Sequence, residues 1–210
     1  DNGQSPLFRF FAPTESPTRY FPQISDIVNN RTTRGEKLPS TTRQLNFSAI
    51  VRDNRIGAGG LARDNVRLNV VDSGVPFEVT NFDTSANLTG FSVETITWNV
   101  AGTAAGAVNT PFVDVFFSTD GGETYPIEVA TRLPNNGSAD VIVPNVATTE
   151  GRFMVRGHNN VFFDINNVDL SVTITEVDLD LGIRTSTFIE DGPAVVVVPD
   201  AAVENPGNVD

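Results

Sequence analysis

Between Phe77 and Ile174, apolar and polar residues alternate run after run, with Gly, Asn, Asp and Pro between the runs. A period of two sends successive side chains to opposite faces of an extended chain, so each run can bury one face and leave the other in water. Phe77 and Val79 share a face, as do Ile96, Trp98 and Val100, and Val113, Val115 and Phe117. Ala139, Val141 and Val143 repeat the pattern, as do Phe153 and Val155 between Arg152, Met154 and Arg156, and finally Val168, Leu170, Val172 and Ile174. With a further run over 124–130, the pattern predicts seven half-buried strands within about 100 residues.

That density of short strands implies an all-β fold, with residues 76–176 forming an immunoglobulin-like or fibronectin-like β-sandwich and Trp98 at its centre. The whole chain, at 210 residues, exceeds a common single domain, so tandem sandwiches are expected. The first of them is incomplete. Residues 1–75 hold strong strand patterns only at 45–51 and 66–71, a weaker one at 7–11, and a long Pro- and Thr-rich excursion over 12–40. Three or four strands leave edges and an apolar face uncovered, so residues 1–75 read as the second half of a domain that other β-strands must complete. Residues 177–210 read as a linker plus one apolar strand, Ala194, Val195, Val196, Val197 and Val198 between Pro193 and Pro199. That strand has no local partner and is either donated elsewhere or the first strand of a following domain.

Composition narrows the function classes. With no Cys, disulfides, thiolate metal sites and thiol catalysis are excluded. A formal charge of −12, from 26 acidic and 14 basic residues, makes nucleic acid and anionic membrane poor partners and cations better ones. The longest apolar run is strand-sized, so no membrane insertion is expected. An exported bacterial protein, extracellular or at the cell surface, fits these features together.

Residues Ser118, Asp120, Gly122, Thr124 and Tyr125 fit the pattern S-x-D-x-G-x-T-aromatic, which resembles an Asp-box, a hairpin folded through its own side chains. Ser118 and Asp120 are expected to bond the turn backbone, Gly122 to take the left-handed conformation and Tyr125 to pack beneath. The motif describes a turn and not a reaction; sialidase propellers carry several such boxes, and here there is one. His158 is the single His, too few for zinc catalysis, and no G-x-S-x-G elbow is present, so no catalytic residue is assigned. Calcium is the favoured binding chemistry, because hard oxygen ligands on loops suit it. The candidate ligands are Asp53, Asn54 and Asp64 around the loop 57–60, then Asp164, Asn166 and Asp169 with Asn167, and a third group of Asp178, Asp180 and Asp191.

Several runs then point to a family. Arg19 to Val28 (RYFPQISDIV), Leu38-Pro39, Arg43 to Phe47 (RQLNF) and Val51 to Asn54 (VRDN) resemble the region downstream of the catalytic domain in large secreted bacterial zinc metalloproteases of the reprolysin-like type. Thr97 to Thr103 (TWNVAGT), Phe117 to Gly122 (FSTDGG), Pro134 to Ser138 (PNNGS) and Phe162 to Asn166 (FFDIN) resemble the adjoining module. Phe188 to Val198 resembles the opening of cadherin-like repeats of bacterial surface proteins. The resemblance implies Ig-like and cadherin-like accessory modules without the protease's own H-E-x-x-H helix. The expected function is non-catalytic: adhesion, spacing or matrix assembly, with neighbouring domains, copies of itself, or a cell-surface or matrix protein or glycan as partner. The alternative is a structural subunit of an extracellular filament, built by β-strand donation between molecules.

Overall fold

The structure, a computed structural model, describes residue 3, residues 6–10 and residues 12–176. The described residues up to Ile174 belong to one compact unit. The described elements are one short helix, α1 (Ile24–Val28), and eleven strands: β1 (Arg43–Arg52), β2 (Leu61–Val70), β3 (Glu78–Val79), β4 (Asn87–Thr89), β5 (Val93–Asn99), β6 (Phe112–Ser118), β7 (Ile127–Pro134), β8 (Ser138–Ile142), β9 (Thr148–Gly157), β10 (Phe163–Ile165) and β11 (Leu170–Thr173). The protein is all-β. Within 77–174 there are nine strands where periodicity alone predicts seven, because short segments such as β4 and β10 are too brief to alternate visibly.

Strands β3, β5 and β8 form one antiparallel sheet, and β4, β11, β9, β6 and β7 lie in that order in a second, with β10 also pairing β9. All pairs are antiparallel except β4 with β11, which run parallel. Ile96, Trp98 and Val141 from the smaller sheet join Val113, Val115, Phe117, Phe153, Val155, Leu170 and Val172 from the larger in one buried cluster. These are the apolar positions of the period-two runs, and each large side chain buried there stabilises the fold by roughly 1.5–3 kcal/mol.

Polar groups inside this frame are satisfied by specific partners. The indole N–H of Trp98 donates to Asn135 Oδ1 at 2.9 Å, and Asn135 Nδ2 donates to Thr103 Oγ1 and to the Thr110 carbonyl, each at 2.9 Å. Residues 135–137 pattern as a turn, and Gly137 does take a positive φ of 101°; Asn135 instead is buried as the acceptor for the Trp98 indole. Asn166, fully buried, accepts from the Phe153 N–H at 2.8 Å and donates to the Val168 carbonyl at 2.5 Å. Where the β6–β7 register shifts between Val113 and Val115, Asp114 Oδ1 accepts the Arg132 N–H at 3.0 Å and replaces the missing ladder bond.

β9 departs from the expected alternation. Arg152 and Met154 pattern as outward-facing, yet Gly151 to Val155 are buried without a break. The N-terminal segment accounts for part of this: the Val28 carbonyl accepts from Arg152 Nη1 at 3.2 Å, and Tyr20 meets Phe163 edge to face at 5.3 Å between centroids. Arg152 also donates from Nε to Asp169 at 2.7 Å.

Of the expected strand over 7–11, the described residues 7–10 form no strand; Phe8 makes a single bridge with Glu36. Glu36 is buried and ion-paired to Arg19 at 2.9 Å. From here the chain enters the β1–β2 hairpin, ten residue pairs from Arg43↔Val70 to Arg52↔Leu61. Asn135→Ala is expected to lower the unfolding free energy by about 1–3 kcal/mol, the cost of leaving a buried donor without its acceptor. Denaturant titration followed by the fluorescence of Trp98, the one Trp, measures it, and an unchanged midpoint would show the network to be idle.

Candidate functional site

Two regions concentrate side-chain chemistry: the loop end of the sandwich around β6, β9 and β10, and the β1–β2 hairpin. At the loop end, Ser118 Oγ donates to Asp120 Oδ1 at 2.6 Å and accepts the Gly122 N–H at 2.9 Å. Asp120 accepts the Thr124 N–H at 2.9 Å and its hydroxyl at 2.5 Å. Burial alone would raise the Asp120 pKa, but the hydrogen bonds from Ser118 and Thr124 outweigh it and hold the carboxyl below its ordinary value. Gly121 and Gly122 both have positive φ, at 72° and 92°. A Cβ on Gly122 would lie 2.9 Å from the Tyr125 hydroxyl and 3.0 Å from Val28, so this glycine also lets α1 approach. Burial pushes the Tyr125 phenol well above its ordinary pKa. Strand β7 starts at Ile127, since residues 119–126 are spent on this turn.

His158 Nδ1 lies 2.8 Å from Asp114 Oδ1, with Arg156 Nη2 3.9 Å from the same carboxylate. Sequence pattern places His158 in a turn and is silent about this contact, because Asp114 lies 44 positions away. The carboxylate is engaged by the Arg132 N–H as well, so the pair has a structural task at the register shift.

The calcium candidates make other contacts. Asp53 Oδ1 caps the hairpin tip, accepting the N–H groups of Gly60 at 2.9 Å and Arg55 at 3.2 Å, with Asn54 in the turn at a φ of 51°. Asp64 sits opposite Ala49, four residues along β2 from Gly60, or roughly 13 Å at strand rise, too far to share an ion with Asp53. In the second group, Asp164 Oδ2 accepts the Val79 N–H at 2.7 Å, Asn166 holds the Phe153 N–H, Asp169 pairs with Arg152, and Asn167 donates to Asp83 at 2.9 Å. Among the described residues no three His, Cys, Asp or Glu side chains converge as a metal site. Asp178, Asp180, Asp191 and the strand Ala194 to Val198 lie outside the described residues.

The hairpin has two unlike faces. One pairs Leu45 with Leu68, Phe47 with Val66 and Val51 with Ala62; the other pairs Asn46 with Arg67, Ser48 with Asn65 and Ile50 with Arg63. Phe8 and Phe21 cover the base of the apolar face, with ring centroids 6.0 and 4.6 Å from Phe47. Toward the tip, Val51 is 67% exposed, and Val66, across from Phe47, is 53% exposed; among the described residues the hairpin is a sheet of two strands. Against this geometry, no protein-family model matches the chain, and no curated protein is a significant match to it.

Burial raises the pKa of Asp164 from 3.8 to about 6, the Val79 hydrogen bond only partly opposing it. An acid raised in the folded state contributes most below its unfolded pKa and loses that contribution as pH rises through the folded value, here between about pH 4 and 6. Asp164→Asn keeps an oxygen for the Val79 N–H and removes the titration. Melting temperatures of the two proteins should therefore converge as pH falls from 7 toward 4, with the variant gaining on the parent at pH 7 by up to about 3 kcal/mol. Parallel curves would show that Asp164 does not titrate in this window.

Proposed function

We propose that this chain is a non-catalytic β-sandwich region of a secreted or surface-exposed bacterial multidomain protein, serving adhesion, spacing or matrix assembly. The observation that carries this reading is the β1–β2 hairpin, whose apolar face is covered at its base and open toward its tip beside a sandwich with a filled core. A two-stranded ribbon is marginal alone in water, so a surface of this kind favours a region that works by being packed against something else. The topology of residues 77–174 supports an immunoglobulin-like or fibronectin-like assignment: a three-stranded sheet faces a larger one in which the early strand β4 runs parallel to the last, β11. On this reading residues 1–75 contribute the closing strands of a sandwich whose other strands belong to a neighbouring domain. The motif resemblances favour accessory modules of a reprolysin-like metalloprotease. The parent gene should then encode an H-E-x-x-H segment upstream, and a parent sequence without it would remove that assignment.

The edges of β1 and β2, unpaired among the described residues beyond their own hairpin, favour a second reading, a filament subunit in which the segment Ala194 to Val198 of one molecule adds as a strand to the hairpin of the next. Such a head-to-tail contact need not close into a ring and can propagate. Deleting residues 194–210 should then abolish high-mass species in light scattering while Trp98 fluorescence reports an intact sandwich. Assemblies of unchanged mass would reject strand donation.

A further inference from the structure

The charge of the chain is unevenly spread. Residues 1–75 carry ten basic and seven acidic side chains, whereas residues 76–210 carry four and nineteen. The excess of arginine is concentrated further by strand alternation. Arg52, Arg63 and Arg67 all fall on the polar face of the hairpin, and no acidic residue shares that face: Asp64, paired with Ala49, points to the apolar side. Asn46, Ser48 and Asn65 stand among these arginines and line, with Arg63 and Arg67, a shallow open depression. All six are exposed.

The chemistry of the face is specific. Arginine presents a planar fork that matches a carboxylate through two parallel hydrogen bonds, while amide and hydroxyl side chains both donate and accept, as sugar hydroxyls require. Arg63 Nη2 donates to Ser48 Oγ at 3.0 Å, and Ser48 donates to Asn65 Oδ1 at 2.6 Å, so the depression is lined by an ordered chain of polar groups. Arg63 and Arg67 are four residues apart on one strand, roughly 13 Å at strand rise. That separation suits a ligand carrying repeated charges along its length better than one compact anion. Three arginines on an arm of a chain with formal charge −12 are too few for the phosphate density of duplex DNA.

We propose that the polar face of the β1–β2 hairpin binds a linear acidic polysaccharide, its carboxylates held by Arg63 and Arg67, with Arg52 extending the track, and its hydroxyls by Asn46, Ser48 and Asn65. The site is on the opposite face from the one that carries the assembly reading and stands independently of it.

Affinity electrophoresis of the full chain tests this, through gels containing polygalacturonate, neutral dextran, or double-stranded DNA. Polygalacturonate should retard the protein, dextran should not, and added salt should weaken the retardation. Arg63→Gln with Arg67→Gln should raise the dissociation constant by at least about tenfold, from the loss of charge-assisted hydrogen bonds. Arg31→Gln with Arg34→Gln removes the same charge from the loop before β1 and should leave binding nearly unchanged. Arg63→Lys with Arg67→Lys keeps the charge and loses the fork; a several-fold weakening is expected, and this pair decides the matter if the Gln pair melts early. Absence of retardation by polygalacturonate overturns the proposal. So does an equal loss in the two Gln pairs, which would reduce the effect to net charge, and so does DNA binding as tight as polygalacturonate binding, which would make the face a phosphate reader.

Discussion

Burial of β9 on both of its faces is the constraint on which the rest of the described structure depends. Inward, Phe153 and Val155 complete the core between the two sheets. Outward, Arg152 and Met154 are withdrawn from water, and a buried guanidinium is tolerated only with partners for its charge. Its Nε donates to Asp169, and its Nη1 donates to the Val28 carbonyl and, at 3.5 Å, to the Asn166 carbonyl. One side chain thereby joins β9, the β10–β11 connection and helix α1. A five-residue helix with no side-chain cap would not persist on its own propensity, so its position is owed to this contact and to its packing near Gly122.

Polar side chains inside the sandwich act as its stitching. Asn135 satisfies the Trp98 indole, Asn166 spans from Phe153 to Val168, and Asp114 fills the gap opened by a register shift. Residues of this kind, met as Asp and Asn in loops, have the composition of calcium ligands. In the folded chain the oxygens of Asp164, Asn166 and Asp169 are directed at backbone N–H groups and at Arg152, so the second candidate group is engaged in structural bonds. The Ser118 to Tyr125 loop differs because the hydrogen bonds of its Ser118 and Asp120 side chains lie within four residues, so the pattern that signals it also contains most of what builds it.

The hairpin brings two surfaces together on one thin support. Its apolar face is served by Phe8 and Phe21 at Phe47 and is open toward Val51 at the tip. Its polar face gathers arginine without carboxylate. Both faces follow from a single register: a one-residue slip would exchange the partners of every side chain and mix the two surfaces.

What the amino-acid order determined by itself is therefore what local chemistry can specify: the alternation that makes strands of 45–51, 96–99, 113–117 and 139–142, the identity of the core apolar residues, and a turn whose side chains bond their own backbone. What only the tertiary structure decided involves partners far apart in the chain. Arg152 reaches Val28 across 124 positions, Asp164 reaches Val79 across 85, and His158 meets Asp114 across 44. Periodicity carries no record of such distances. It reports which face of a strand is apolar, and it cannot tell whether the polar face will meet water or be covered by another segment, as happens along β9.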